Sequence, residues 1–183
     1  MMKRVAVYCG SRVPQDQEIV ELAQNLGAFL AQKNLSLVYG GGKVGIMGII
    51  ADACLQHQGE VIGVIPTAIK EMEVAHTGIS ELHETQDMHT RKALIESLSD
   101  LFIVLPGGFG TLDEFFEILT WRQLGYHNKP IILVNKNGYF DGLEQFISRG
   151  LSEDFLRDSI HNLFTITSNF EDTAEMIRSE LEF

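Results

Sequence analysis

Residues 101–119 read LFIVLPGGFGTLDEFFEIL. Leu101–Leu105 is an unbroken apolar run of β-forming type, and Pro106 ends it. Gly107, Gly108 and Gly110 then put three glycines within four residues. A single tight turn explains one glycine, but poorly explains three. From Thr111 the apolar spacing becomes helical and continues to about residue 125. A buried strand, a glycine loop and a helix in this order form a βα unit. Free N–H groups and the positive end of a helix dipole meet in such a loop, which suits a phosphate-sized anion. Thr111-Leu112-Asp113-Glu114 also fits a capping box, with Thr111 as the N-cap and Glu114 reaching back to its N–H. Glu114 is therefore either a structural cap or a chemical group.

The same alternation runs outward in both directions. Strand-like runs occupy 5–9, 35–39, 61–65, 101–105, 130–134 and 163–166, with a weaker one at 81–86. Helical patterns cover about 16–33, 47–58, 88–99, 111–125, 139–150 and 170–181. Strands that alternate with helices predict parallel pairing, and continuously apolar strands predict a sheet covered on both faces. The expectation is one domain over residues 1–183, an α/β, Rossmann-like, doubly wound parallel sheet with helices on both faces. Such sheets bind ligands at the carboxyl ends of their strands, so the loops after strands are where function is sought.

Composition narrows the partners. The chain has 183 residues and a formal net charge of -11. That charge repels nucleic acid polymers and anionic membranes, while leaving room for a small anion at a local cluster of donors. No apolar run approaches the ~20 residues that span a bilayer. MMKRVAVYCGS reads as a first strand rather than a signal peptide, which makes the cytoplasm the default expectation. Cys9 and Cys54 form neither a CxxC nor a zinc spacing and are expected as reduced thiols.

Two more loops follow strands. Cys9-Gly10-Ser11 can present the Ser11 hydroxyl and a backbone N–H to a ligand, or make a simple turn. YGGGKVGIMG (39–48) fits G-x-G-x-x-G. The next strand ends Val64-Ile65-Pro66-Thr67, without the acidic residue of a dinucleotide site, and Gly42-Lys43 is followed by Val44, which spoils a Walker loop. What remains is a loop whose backbone, at Gly41 and Gly42, can approach something closely, or tight helix–strand packing. In DMHTRKALIESLSD (87–100), Asp87 is the expected N-cap. Arg91 and Lys92 fall near the helix start, where positive charge costs about 0.3–1 kcal/mol each. This placement suggests that they face an anion. His83, Glu84, Asp87 and His89 match no metal-ligand spacing, and no metal is expected.

These segments together resemble a known family. PGGFGTLDE (106–114) matches the PGGxGTxxE signature, and MHTRK (88–92) the MHxRK signature, of the Lonely-guy proteins, the cytokinin-activating phosphoribohydrolases. The first-strand CGS, the YGGGKVGIMG loop and residues 120–143 are similar to the same family. The resemblance implies hydrolysis of the N-glycosidic bond of a nucleoside 5′-monophosphate, to free base and ribose 5-phosphate. Cytokinin ribotides are the family's named substrates, with AMP a further candidate, and no cofactor or metal is implied. It implies that Glu114 and Arg91 form the essential pair. It implies nucleotide contacts at Lys92, at Gly107, Gly108, Phe109, Gly110 and Thr111, at Glu73 (placed mainly by its distance from Arg91) and at Thr120. It also implies a homodimer, in keeping with the wide apolar arc of the 111–125 helix. The label of lysine decarboxylase often given to such proteins finds no support here, because nothing in the sequence reads as a pyridoxal phosphate pocket. A non-catalytic nucleotide carrier and a ribosyl-phosphate transferase are the alternatives.

Overall fold

The structure, a computed structural model, describes residues 2–70 and 74–183. Along the chain it runs β1 (Arg4–Tyr8), α1 (Gln17–Gln32), β2 (Ser36–Tyr39), α2 (Gly45–Gln56), β3 (Val61–Pro66), β4 (Glu81–Thr85), α3 (Met88–Leu98), β5 (Leu101–Val104), α4 (Phe109–Gln123), β6 (Ile131–Val134), α5 (Asp141–Ser152), β7 (Thr165–Thr167) and α6 (Phe170–Leu181). The strands form one seven-stranded sheet in the order β4-β3-β2-β1-β5-β6-β7, with every pair parallel. The α/β doubly wound expectation holds. The weak run at 81–86 is a true edge strand, paired with β3 from Ile62↔Glu81 to Pro66↔Thr85.

Strand alternation divides the core in two. Val5 and Val7 of β1 point into one cluster with Leu26 and Leu30 of α1, Ile50 of α2 and Ile177 of α6. Ala6 and Tyr8 point into the other, with Ile95 of α3, Phe115 and Ile118 of α4 and Ile147 of α5. Each fully buried Leu, Ile or Phe contributes about 1.5–3 kcal/mol of transfer free energy. That is why strands buried on both faces need no polar alternation.

The strand order places the site. From β1 the chain steps outward through β2, β3 and β4, then returns to lay β5 along the other side of β1, in the register Tyr8↔Val104. The loops leaving β1 and β5 therefore part in opposite directions. The crevice between them is the switch point at which open α/β sheets bind ligands.

One expectation fails at that point. α4 starts at Phe109, two residues before Thr111, and its N-cap is Gly108 with no side-chain cap. Thr111 is buried in the first turn, so the predicted capping box does not form. Gly108 and Gly110 have open space where a Cβ would stand, and the chain coils a half-turn earlier than the T-x-x-E pattern suggests.

Candidate active site

The two crevice loops hold each other at backbone distance. The Gly10 N–H donates to the Pro106 carbonyl at 3.2 Å. A Cβ on Gly107 would stand 2.1 Å from Thr111 Oγ1 and 2.9 Å from the Gly10 nitrogen, so only glycine permits the approach. Tyr139 Oη donates to the Gly107 carbonyl at 2.7 Å and fixes the loop from the β6 side. On the other flank, Gly45 (φ +68) meets the Ser11 backbone, where a Cβ would come within 2.2 Å of the carbonyl carbon. That part of the 39–48 loop is tight packing.

The first turn of α4 faces the crevice. The Leu112 N–H closes the first helical bond to Gly108 O at 3.2 Å. The amides ahead of it, in Phe109, Gly110 and Thr111, have no helical acceptor to use. With the dipole end and the bare flanks of Gly108 and Gly110, they form a cradle for a phosphate-sized anion.

Behind the cradle lies a cavity of about 240 Å³, whose lining includes Cys9, Ser11, Gly40, Met47, Met88, Arg91, Gly108–Thr111, Asp113 and Glu114. Its floor is a buried ion pair. Arg91 Nη2 of α3 stands 3.3 Å from Glu114 Oε1 of α4, with side chains 6% and 10% exposed. Arg91 reaches there because Gly40 follows β2, where a Cβ would stand 2.2 Å from Nη2. The guanidinium is poorly supplied with acceptors. Nη1 lies 3.6 Å from the weak acceptor Met88 Sδ, and the buried Nε has no hydrogen-bond partner among the described residues. A buried unmade hydrogen bond costs about 1–3 kcal/mol, which a ligand oxygen at this edge would recover. Cys9 lines the same cavity, but burial, reinforced by the Glu114 carboxylate, pushes its thiol pKa far above the ordinary value. It remains a protonated thiol rather than a nucleophile.

Ser11, Gly108, Phe109, Gly110, Thr111, Arg91 and Glu114 are thus brought together. Gly107 lines an adjoining groove of about 470 Å³, which shares Ser11 and Gly108 with the cavity and is walled by Arg12, Val13, Ile19, Ile46 and Tyr139. Other expected residues stand elsewhere. Lys92 is buried but absent from the cavity lining, and its Nζ is held by Asp113 Oδ2 at 3.1 Å and Glu117 Oε2 at 2.5 Å. Gly41 (φ +79) and Gly42 anchor Ala75 and His76 instead: the Gly41 carbonyl accepts from the His76 N–H at 2.8 Å, and Gly42 bridges to Ala75. Thr120 is exposed on α4, about three turns beyond Phe109 at the start of the helix. Glu73 lies outside the described residues. The residue the motif reading missed is Gly40. Its only signal was a third consecutive glycine where an anchor needs two.

Three of the four residues considered for a metal have other partners. Glu84 pairs with Lys70 at 2.6 Å, His83 with Glu81 at 3.1 Å, and Asp87 caps α3 by accepting from the Thr90 N–H at 2.7 Å.

Comparison with known proteins adds a family to this geometry. A family model described as "Possible lysine decarboxylase" matches residues 47–177. A Rhodococcoides fascians protein named cytokinin riboside 5'-monophosphate phosphoribohydrolase is 43% identical over 178 residues, which cover 97% of this chain and 90% of that one. An Arabidopsis thaliana protein of the same name is 41% identical over 161 residues, 88% of this chain and 76% of its own length. Among solved structures, the molybdenum cofactor carrier protein of Chlamydomonas reinhardtii superposes with a TM-score of 0.75 at 16% identity, over the whole of both chains. The molybdenum cofactor binding protein of Rippkaea orientalis gives 0.72 at 23% identity, over 99% of this chain and 98% of that one. At these identities the structural likeness is one of fold alone. The sequence relatives reach further: alike over nearly its whole length, the chain belongs to the Lonely-guy family of cytokinin riboside 5'-monophosphate phosphoribohydrolases.

Proposed function

We propose that this chain hydrolyses the N-glycosidic bond of a nucleoside 5′-monophosphate, with AMP and cytokinin ribotides as candidate substrates, and releases free base and ribose 5-phosphate. The observation that carries the proposal is the buried Arg91–Glu114 pair, set on the floor of a cavity whose mouth is the amide-rich start of α4. The phosphate sits at the first turn of α4. Glu114 lies in the second turn, about a ribose away. As the bond from C1′ to the base nitrogen breaks, the base leaves with the bonding pair and takes a proton from solvent. Positive charge develops on the sugar, and the Glu114 carboxylate stabilises it. Water adds its oxygen to C1′ and gives its proton to Glu114. Arg91 orients Glu114 and offers its spare Nε–H to a substrate oxygen.

The family model's description does not suit the cavity. A pyridoxal phosphate decarboxylase holds its cofactor on a lysine, and no lysine is among the cavity's described lining residues.

The deciding experiment is incubation with a panel of nucleoside monophosphates, followed by chromatography. Free adenine and ribose 5-phosphate from AMP are expected. Binding without base release would identify a carrier, and exchange of labelled adenine into AMP a transferase. The phosphate should dominate recognition. Two charge-assisted hydrogen bonds of about 1.5 kcal/mol each amount to roughly 100-fold, so kcat/KM for AMP is expected to exceed that for adenosine by at least that factor. Equal efficiency on the two would remove the phosphate from the α4 cradle.

The reading includes a homodimer. Phe109 is 93% exposed and Leu124 62%, with Phe116 and Thr120 between them along one stripe of α4. A lone chain gains nothing by showing such a stripe to water, whereas a second copy would cover it. On that arrangement Thr120 serves the interface rather than its own chain's cavity. Light scattering at micromolar concentration should give twice the chain mass, and Phe116→Glu should return it to the monomer value. No helix among the described residues is long and apolar enough to cross a membrane. Cys9 and Cys54 are buried free thiols, which accords with a reducing, cytoplasmic setting.

A further inference from the structure

The inner face of α3 is unusual for a helix packed on a sheet. Its buried residues are Arg91, Lys92 and Ile95, so two of the three are cations. Arg91 belongs to the site. Lys92 has another task to explain. Its side chain is 9% exposed, and it spans from α3 to α4 to contact Asp113 Oδ2 and Glu117 Oε2. These carboxylates lie one residue before and three residues after Glu114, and Lys92 follows Arg91 directly. The two helices are thus joined by adjacent bridges, Arg91 to Glu114 and Lys92 to Asp113 and Glu117.

From this we infer that Lys92 is a positioning residue: it fixes the rotation of α4 about its own axis and so sets the Glu114 carboxylate against Arg91. The inference rests on the phosphoribohydrolase reading. Phe115, Ile118 and Leu119 seat α4 against the sheet, and the Lys92 bridge adds a tether on the α3 side that limits the roll this packing leaves. Residues 113 and 117 share a face of α4, and 114 lies about 80° round from its centre. Holding the first face therefore aims the second. A rotation that moves Glu114 by about 1 Å is enough to cost on the order of 100-fold in rate.

Charge balance gives Lys92 a second effect. Asp113, Glu114 and Glu117 crowd the start of a helix proposed to receive a phosphate, and each carboxylate opposes that dianion. Lys92 neutralises part of this charge from below without occupying the cavity. Burial alone would push its ammonium toward losing the proton. The two carboxylates outweigh that effect and hold its pKa above the usual lysine value, so the charge is present at neutral pH.

The test separates aiming from binding. Lys92→Met keeps the length of the stem and removes the charge. At 25 °C its kcat on AMP is expected to fall 10- to 100-fold, the range set by a misplaced catalytic group. Its Kd for AMP, measured by calorimetry, is expected to stay within about threefold, since no direct contact is lost. Lys92→Arg, which keeps a cation for both carboxylates, should recover most of the turnover. A readout without turnover completes the test. The Arg91 Nε–H resonance, assigned by its absence in Arg91→Lys, should shift in Lys92→Met and return in Lys92→Arg. If Lys92→Met proves insoluble, Glu117→Gln carries the same measurements with a smaller effect. An unchanged kcat, an unmoved resonance, or a Kd that weakens tenfold with loss of the preference for AMP over adenosine would each overturn the inference. If the wild-type protein releases no adenine, the functional reading fails and the resonance alone decides the positioning role.

Discussion

Glu114→Gln is expected to lower turnover of AMP at least ~100-fold, the lower end for a positioned acid–base group. Glutamine keeps the shape and can still accept a hydrogen bond from Arg91. It can neither take a proton from water nor balance positive charge on the ribose. AMP binding should be retained, and even tightened slightly, because a negative charge near the phosphate is removed. The melting temperature should fall. Glu114 is the carboxylate paired with a buried guanidinium, not a surface cap, and losing its charge while keeping an acceptor costs about 1 kcal/mol. Calorimetry for binding, a melting curve and a timed assay for adenine measure the three effects separately. Normal turnover in this variant would move the catalytic carboxylate elsewhere, with Glu73 the next to change.

Gly40→Ala is the second substitution with a large expected effect, and its mechanism is purely steric. The new methyl would stand 2.2 Å from Arg91 Nη2, well inside contact distance, and the guanidinium must move. Arg91 has little room to do so, since Glu114 and Met88 already bracket it. A displacement of about 1 Å from the productive geometry costs on the order of 100-fold in kcat, even though residue 40 itself does no chemistry. Arg91→Lys in the same background provides the control. A shorter, compact head no longer meets the methyl, so the double variant should be no slower than Arg91→Lys alone. If Gly40→Ala is as active as wild type, Arg91 is not held where turnover needs it.

Much of this arrangement was legible in the sequence, for reasons that differ by element. β5, the glycine loop and α4 announce themselves by a change of apolar spacing across Pro106. Asp87 announces α3 as a capping residue, and it does cap. The start of α4 was not legible. T-x-x-E is a sound local signal, but glycines with open flanks let the chain enter the helix before Thr111, and Gly108 took the cap position. The partners of Lys92 were not legible either, because Asp113 and Glu117 lie 21 and 25 residues away and meet it only when α3 packs beside α4. For the same reason the role of Gly40 was hidden. A glycine at a strand end reads as a turn until the neighbouring helix shows which side chain needs the space.

The Nε of Arg91, without a partner among the described residues, has a consequence for anyone who alters this protein. A buried cation with an unfilled bond is a place where the fold is less stable than it could be. Exchanging Arg91 and Glu114 for two apolar side chains of similar volume is the kind of change that often leaves a protein more heat-resistant, by about 1–4 kcal/mol. A campaign that selected only for survival of heating would find such exchanges early and keep them. It would return a sturdier sheet with its proposed catalytic pair erased, so any search for robust variants has to assay adenine release at every round.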